Sequence, residues 1–288
     1  MTQTGQSSSR SGNEFALSDA EFKKLTGIVR ELTGIVLGDH KKEMLYGRLA
    51  RRLRDLGMQS FSQYCALLDS KDADQETGFL VNAVTTNLTK FYRESHHFDF
   101  LTDYLKSLQS DSVRLGGDRS ILIWSAGCSS GEEPYSIAST LLSKTPSLSS
   151  WKPRILATDL DTNMLATGQA GIYSKNSLND IPDDYKKVFE ENTKIVGDKI
   201  HLRDKPKSLV HFKQLNLLHP WPMKQKYDII FCRNVLIYFD GPTKEGLVNR
   251  YAGMLRPGGM LFLGHSESMQ NKIEGLSLIG RTAYRKEG

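Results

Sequence analysis

The hydrophobic rhythm of the chain changes once, near residue 120. Upstream of it, apolar positions recur at helical spacing. Phe22, Leu25, Ile28, Val29 and Leu32 form one stripe, and Leu45, Leu49, Leu53 and Leu56 form a second. Ser18-Asp-Ala-Glu21 reads as a capping box that opens the first helix, with Gly34 as its C-cap. The second helix is predicted over about 40–56, ended by Gly57, and shorter helical patterns cover 61–68 and 75–84. Another helix passes through Phe98, Leu101 and Leu105, and the Ser-, Asp- and Gly-rich segment 109–119 reads as a loop or domain joint.

Downstream, short apolar runs alternate with helical patterns. Strands are predicted at 121–124, 154–157, 227–232, 260–264 and 279–284, and helices at 132–143, 162–169 and 243–255. This alternation implies an α/β domain with a mostly parallel sheet covered on both faces. The strand at 260–264 follows a turn, Arg256-Pro-Gly-Gly259. The link 265–277 is not helical, so the last strand can enter antiparallel. Between 173 and 212 the rhythm breaks. A helix at 183–190, a hairpin at 194–202 about Gly197-Asp198 and a second small strand at 209–212 read as an inserted subdomain.

Composition narrows this picture. The chain has 288 residues, enough for one large domain or two modest ones, and a net charge of +5 that admits an acidic partner without demanding nucleic acid. There is no apolar run long enough to span a membrane. The stretch 1–14 is polar, lacks the apolar core of a signal peptide and reads as a disordered tail. Cys65, Cys128 and Cys232 lie far apart and show no metal-ligand spacing, as expected of reduced thiols in the cytoplasm. His96 and His97 are helical neighbours whose side chains diverge by about 100°, which disfavours shared ligation, and no metal is expected.

The most informative stretch is ILIWSAGCSSGEEPYS, 121–136: a buried strand, a turn of small residues, then a helix opening on Glu132-Glu133-Pro134. Strand, glycine-bearing turn and helix present a nucleotide-sized ligand at the carboxyl ends of α/β strands. A pyrophosphate would seek bare backbone N–H groups there. Two glutamates suit a ligand with cationic groups instead, such as the ammonium and sulfonium of S-adenosylmethionine. The bland alternative is an acidic helix cap. The second strand ends in Ala157-Thr-Asp159, where an acid accepts from ribose hydroxyls; Asp161 or Thr162 is the competing reading, as a helix N-cap. Asn216 follows the strand candidate at 209–212, where an amide matches both edges of adenine or simply makes a turn.

Tyr227–Asp240 runs as an apolar strand into Arg233-Asn234, with Tyr238 and Phe239 beyond. Both polar side chains are costly to bury unpaired, so they either serve a site or lie at the rim. The segment Thr85–Arg93 holds hydroxyls, an amide and an arginine, and reads either as a helix joint capped by Thr89 or as a lid carrying Asn87, Thr89 and Arg93. The helix at 40–56 carries Lys41, Arg48, Arg51, Arg52 and Arg54 against only Glu43 and Asp55 along its length. That face is either simply solvated or suited to an acidic surface.

These pieces, in this order, resemble the chemotaxis receptor methyltransferases of the CheR family. The likeness rests on TTNLTKFYRESHHF, WSAGCSSGEEPYS, ATDLD, FCRNVLIYF and LRPGGMLFLGHSE. The resemblance implies a Rossmann-like S-adenosylmethionine-dependent methyltransferase domain with an all-α N-terminal domain and a small inserted β subdomain. The corresponding boundaries are 15–90 for the helical domain, 91–119 for a connecting helix and linker, and 120–288 for the methyltransferase domain, with the insertion at about 174–212. It further implies cofactor contacts at Asn87, Thr89, Arg93, Glu133, Asp159, Asn216, Leu217, Arg233 and Asn234. Within these, Asp159 would hold the ribose and Asn216-Leu217 would lie by the adenine. Arg93 and Tyr238 would stand near the transferred methyl, and Arg48, Arg51 and Arg54 would dock the receptor. The substrate implied is a set of glutamate side chains on the cytoplasmic helices of chemoreceptors, modified by a monomeric, cytoplasmic enzyme without membrane insertion or nucleic acid. One departure stands out. Some members grip a receptor pentapeptide with a glycine-rich turn, whereas 190–198 here holds only Gly197.

Three rival classes are set by the residues themselves. A nucleic-acid methyltransferase would use the basic helix on phosphates, but no NPPY-like tetrapeptide follows the strand at 227–232. A non-catalytic module would bind the methyl donor and transfer nothing. A nicotinamide dehydrogenase is disfavoured by Glu132-Glu133 in the first loop.

Overall fold

The computed structural model describes residues 14–71, 73–111, 117, 119–269 and 273–288. The expected tail up to residue 13 and most of the 109–119 joint lie outside these residues. Two compact units divide between Val84 and Thr85.

The first unit is helical: α1 (Asp19–Thr33), α2 (Lys42–Asp55), α3 (Phe61–Leu68) and α4 (Ala73–Val84). The Ser18–Glu21 capping box forms in both directions, and Gly34 closes α1 in the left-handed conformation. Phe22, Leu25 and Val29 of α1 are buried, as are Leu45, Leu49 and Leu53 of α2. Arg52 departs from the expected basic face. Its guanidinium meets the buried Glu76 of α4 at 2.6 Å, and Tyr64 donates to the same carboxylate at 2.8 Å. The acid that offsets Arg52 lies on another helix, out of reach of a tally along α2 alone.

The second unit opens with an irregular segment and α5 (His96–Leu108), then alternates β1 (Leu122–Ala126), α6 (Glu132–Lys144), β2 (Arg154–Asp159) and α7 (Thr162–Ala170). After an insertion come β6 (Val210–Gln214), β7 (Tyr227–Cys232), α10 (Gly241–Met254), β8 (Leu255–Leu263), β9 (Leu276–Gly280) and β10 (Ala283–Lys286). Among the described residues these strands form one sheet in the order β6-β2-β1-β7-β8-β10-β9. The first five are mutually parallel; β10 runs antiparallel to β8 and to β9. The topological switch lies between β1 and β7, so a crevice opens at their carboxyl ends.

Alternate strand positions feed two cores. Ile121, Ile123, Ile229 and Phe231 face the side covered by α5, α6 and α8 (Asp183–Glu191). Leu122, Trp124, Ile230 and Cys232 face α10 and the Trp221 loop. Trp124 meets Trp221 edge-on with centroids 4.8 Å apart. Burial on both faces is what made these strands read as unbroken apolar runs.

The insertion contains β3 (Ile172–Ser174), α8, β4 (Thr193–Val196) and β5 (Lys199–Leu202), followed by α9 (Asp204–Leu209). The β4–β5 hairpin turns at Gly197, φ 61°, as expected. The third strand of this small sheet is β3, which was not anticipated, rather than 209–212. The latter segment is β6 and pairs in parallel with β2 in the main sheet. A four-residue apolar pattern carries no information about which sheet it joins. Two other expectations change. The 256–259 turn is absorbed into β8, beside a register shift opposite Tyr227–Ile229. The single strand at 279–284 is a hairpin, broken at Arg281-Thr282 with Thr282 at φ 52°.

Candidate active site

The loop after β1 is drawn across the end of β2. Gly127 N and Cys128 N both donate to Thr158 O, at 2.8 and 2.9 Å. Gly127 and Gly131 have φ of 77° and 97°, where a side chain is strained. Space also excludes one: a Cβ on Gly131 would lie 2.9 Å from both Gly168 Cα and the Tyr173 hydroxyl. The turn therefore packs against α7 and β3 while α6 begins at Glu132.

Asp159 closes β2. Its Oδ2 accepts from Ser129 N at 2.7 Å and its Oδ1 from Asp161 N at 2.9 Å. The helix cap falls to Asp161, whose Oδ1 accepts from Asn163 N and Met164 N. The two readings of this stretch thus separate: Asp161 caps α7, and Asp159 stands at the strand end facing the β1 loop. Burial raises the Asp159 pKa, opposed by the N–H groups of Asp161 and Ser129. Asp161 Oδ2 also accepts from Thr85 Oγ1 at 2.7 Å and Asn87 Nδ2 at 2.8 Å, while Ser129 Oγ donates to Asn87 O at 3.0 Å. The segment carrying Asn87 and the half-buried Thr89 is thereby strapped over the carboxyl ends of β1 and β2. Residues 91–95 form a turn before α5, so Thr89 does not cap that helix.

Glu133 is enclosed. Ser125 Oγ donates to its Oε1 at 2.7 Å, and Arg233 Nη1 approaches its Oε2 at 3.2 Å. Burial raises its pKa, with Arg233 and Ser125 pulling the other way. The Arg233 guanidinium, 2% exposed, also lies 3.6 Å from Glu94 Oε2 and donates to the Arg93 carbonyl. Burial opposes ionisation of Glu94, but Arg233 and a hydrogen bond from His265 outweigh it and hold its carboxyl below the usual range. Arg233 is thus the shared counter-charge of two buried carboxylates, which resolves why a strand ends in an arginine. Glu94 and Ser125 drew no role from the sequence, although they lie within TTNLTKFYRESHHF and WSAGCSSGEEPYS.

Asn234 follows in the left-handed region, φ 59°. Tyr238, on the 3₁₀ turn Leu236–Tyr238, donates to Thr86 O at 3.3 Å and so touches the strap. Arg93 Nη1 donates to Leu88 O at 2.9 Å, tying the other end of the strap. Beyond β6, Asn216 Oδ1 accepts from Leu218 N in a turn. The Leu217 carbonyl accepts from Trp221 Nε1 and Arg250 Nη1. Leu215 N donates to Asp159 O, which holds 215–217 beside the end of β2.

His96, His97 and Glu94 come closer than helical spacing suggested, with one ligand atom of each within 4.8 Å of the others. Glu94 precedes α5 in a left-handed conformation, which turns it back toward the rings. Glu94 Oε2 also faces Arg233, which supplies the positive charge at that corner.

In the first unit, Arg48 donates to Ala83 O at 2.8 Å, Arg51 is exposed, and Arg54 lies 3.4 Å from Glu14. The structure therefore gathers the candidate cofactor residues at one crevice of the second unit, while Arg48, Arg51 and Arg54, the candidate docking residues, belong to the first. No described helix is long and apolar enough to cross a membrane.

Residues 87–285 match the CheR methyltransferase SAM-binding domain, and residues 20–85 match the CheR all-alpha domain. The chain is 40% identical over 274 residues to a chemotaxis protein methyltransferase of Salmonella typhimurium, covering 93% of this chain and 91% of that protein. It is 39% identical over 271 residues to the chemotaxis protein methyltransferase of Escherichia coli K12, with coverages of 93% and 91%. Chemotaxis protein methyltransferase 2 of Pseudomonas aeruginosa is 40% identical over 275 residues, with 94% of each chain covered. With both domains matched in order and relatives aligned almost end to end, the chain belongs to the CheR family of S-adenosylmethionine-dependent methyltransferases.

Proposed function

We propose that this enzyme transfers the methyl group of S-adenosylmethionine to glutamate side chains on the cytoplasmic helices of chemoreceptors. The end-to-end likeness to chemotaxis protein methyltransferases carries the reading. The crevice fits the donor. Asp159 and Glu133 line it with carboxylates, and the buried Arg233 guanidinium near them is engaged by Glu133 and Glu94. An anionic cofactor such as a dinucleotide would meet repulsion there, whereas a sulfonium and an ammonium complement it.

In this reading Asp159 receives the ribose hydroxyls, because its two oxygens are oriented by backbone donors and keep lone pairs to spare. Glu133, fixed by Ser125 and Arg233, faces the ammonium end. Asn216-Leu217 flank the adenine, and Asn87, Thr89 and Asn234 complete the walls. Arg93 and Tyr238 border the point of transfer. The nucleophile needs no general base: a glutamate with a pKa near ~4.3 is already ionised at pH 7. Its oxygen forms the new bond to the methyl carbon as the C–S bond breaks, and the electron pair goes to sulfur. What the protein supplies is alignment and exclusion of water. Arg48, Arg51 and Arg54 provide positive charge for an acidic helical surface.

The test supplies labelled methyl donor and chemoreceptor-bearing membranes. Label should enter the receptor and leave as methanol in mild base, because carboxyl esters hydrolyse and N-methyl groups do not. Base-stable label, or none across several receptors, rejects the proposal. Arg93→Ala should lose turnover while retaining much of its cofactor affinity, and unchanged turnover removes Arg93 from the mechanism.

A further inference from the structure

One buried acid at the crevice has no part in the contacts described so far. Glu267 follows β8 in the sequence Gly264-His-Ser-Glu267 and is only 6% exposed. Its Oε2 accepts from Asn234 N at 2.8 Å and from Gly264 N at 2.6 Å, and its Oε1 accepts from Ile237 N at 3.1 Å. These three partners are all backbone N–H groups. Asn234 and Ile237 lie beyond β7, and Gly264 lies just beyond β8, so one carboxylate clips together the carboxyl ends of two neighbouring strands. Space is left for nothing else: a Cβ on Gly264 would sit 2.7 Å from Asn234 N, from Asn234 Nδ2 and from Glu267 Oε2.

The location of the donors gives the clip its consequence. Asn234 N belongs to the left-handed residue directly after Arg233, so its peptide orientation sets where both side chains leave the strand. Ile237 N belongs to the 3₁₀ turn that carries Tyr238 to the strap. A carboxylate alone among side chains offers acceptors on both oxygens and no donor to clash with converging N–H groups. We propose that Glu267 is a positioning residue for methyl transfer. Through one oxygen it presents Asn234 to the cofactor and sets Arg233 against Glu133, and through the other it presents Tyr238 to the point of transfer. The inference rests on the roles assigned above to Asn234 and Tyr238.

The two oxygens can be tested separately in the full-length chain, by calorimetric binding of S-adenosylhomocysteine and by kcat and KM on receptor membranes. In Glu267→Gln the amide oxygen takes the place of Oε2, where two N–H groups outnumber one, and its NH2 then faces Ile237 N–H. The expected result is a Kd within about threefold of the parent, with kcat lowered about tenfold or more, since the turn that carries Tyr238 loses its anchor and a small misplacement at the point of transfer costs that much. Glu267→Ala, which leaves three donors unpaired, should weaken binding by about tenfold or more; should it fail to fold, the glutamine variant alone decides. Parent kcat in Glu267→Gln overturns the inference, as does parent affinity in a folded Glu267→Ala. Parent behaviour in Asn234→Ala and Tyr238→Phe would overturn instead the site assignments beneath it.

Discussion

Replacing Arg233 by methionine would remove the guanidinium that Glu133 and Glu94 share at 3.2 and 3.6 Å. The three side chains are only 2%, 12% and 11% exposed, so solvent cannot take over the lost interaction. Breaking a buried pair by deleting one partner costs about 3–5 kcal/mol. For a unit the size of Thr85–Gly288, that corresponds to a fall in Tm of roughly 6–20 °C. The pH dependence makes the cause identifiable. Burial already raises the Glu133 pKa, and without Arg233 the burial of Glu94 loses its main opposing charge. Both carboxyls then bind a proton more tightly when folded than unfolded. Stability of the variant should therefore fall as pH rises from the unfolded value toward the folded one, by about 1.4 kcal/mol per pH unit for each group. The deficit relative to the parent should grow as pH rises above the unfolded carboxyl value near ~4.3. Urea unfolding followed by tryptophan fluorescence measures it in the correct unit, because Trp124, Trp151 and Trp221 all lie beyond Val84. A deficit below about 1 kcal/mol, or one that does not grow with pH above the unfolded carboxyl value, would refute the shared counter-charge.

His97, fully buried with Nε2 3.0 Å from Arg281 O, has its pKa pushed down to about 4 by burial and by Arg233. Its unfolded form titrates near ~6.5, so stability should be complete above that pH and decline by up to about 3 kcal/mol as pH falls toward 4. His97→Gln should flatten that decline in urea titrations, and an unchanged slope would exonerate the ring. Asp159→Asn should weaken S-adenosylhomocysteine binding about tenfold or more by calorimetry, since an amide cannot keep both backbone donors and still accept from a ribose; parent affinity would remove Asp159 from the site. Gly168→Ala should destabilise by about 1–3 kcal/mol, because its Cβ would meet the Phe212 ring at 2.4 Å. Gly246→Ala, exposed on α10 with no atom within 4 Å, should instead gain up to about 1 kcal/mol. Equal Tm shifts for these two glycines would contradict the packing described.

Local chemistry wrote itself plainly into the residues. The Ser18–Glu21 box and Gly34 delimit α1 because capping joins groups three or four residues apart. Strands β1, β2 and β7 were legible because burial, complete in β1 and β7 and partial in β2, leaves mostly apolar residues. The acids after β1 and β2, and Arg233-Asn234 after β7, could be recognised because α/β sites collect at strand ends. What lay beyond the sequence were the pairings across long separations. Nothing near residue 210 states that β6 joins β2 rather than the inserted sheet. Nothing along α2 states that Arg52 is neutralised by Glu76. Nothing in the sequence tells which of Asp159 and Asp161 is the helix cap until the β1 loop is seen to donate to the first and the helix to the second. The sequence by itself therefore determined most of the helices and main-sheet strands and the acidic residues at the strand ends, since periodicity, capping and residue charge are local properties. Only the tertiary structure decided that Arg233 serves Glu133 and Glu94 together and that Glu267 clips β7 to β8. A buried charge takes its role from whichever groups the fold brings within hydrogen-bonding distance, and those groups are remote in the chain.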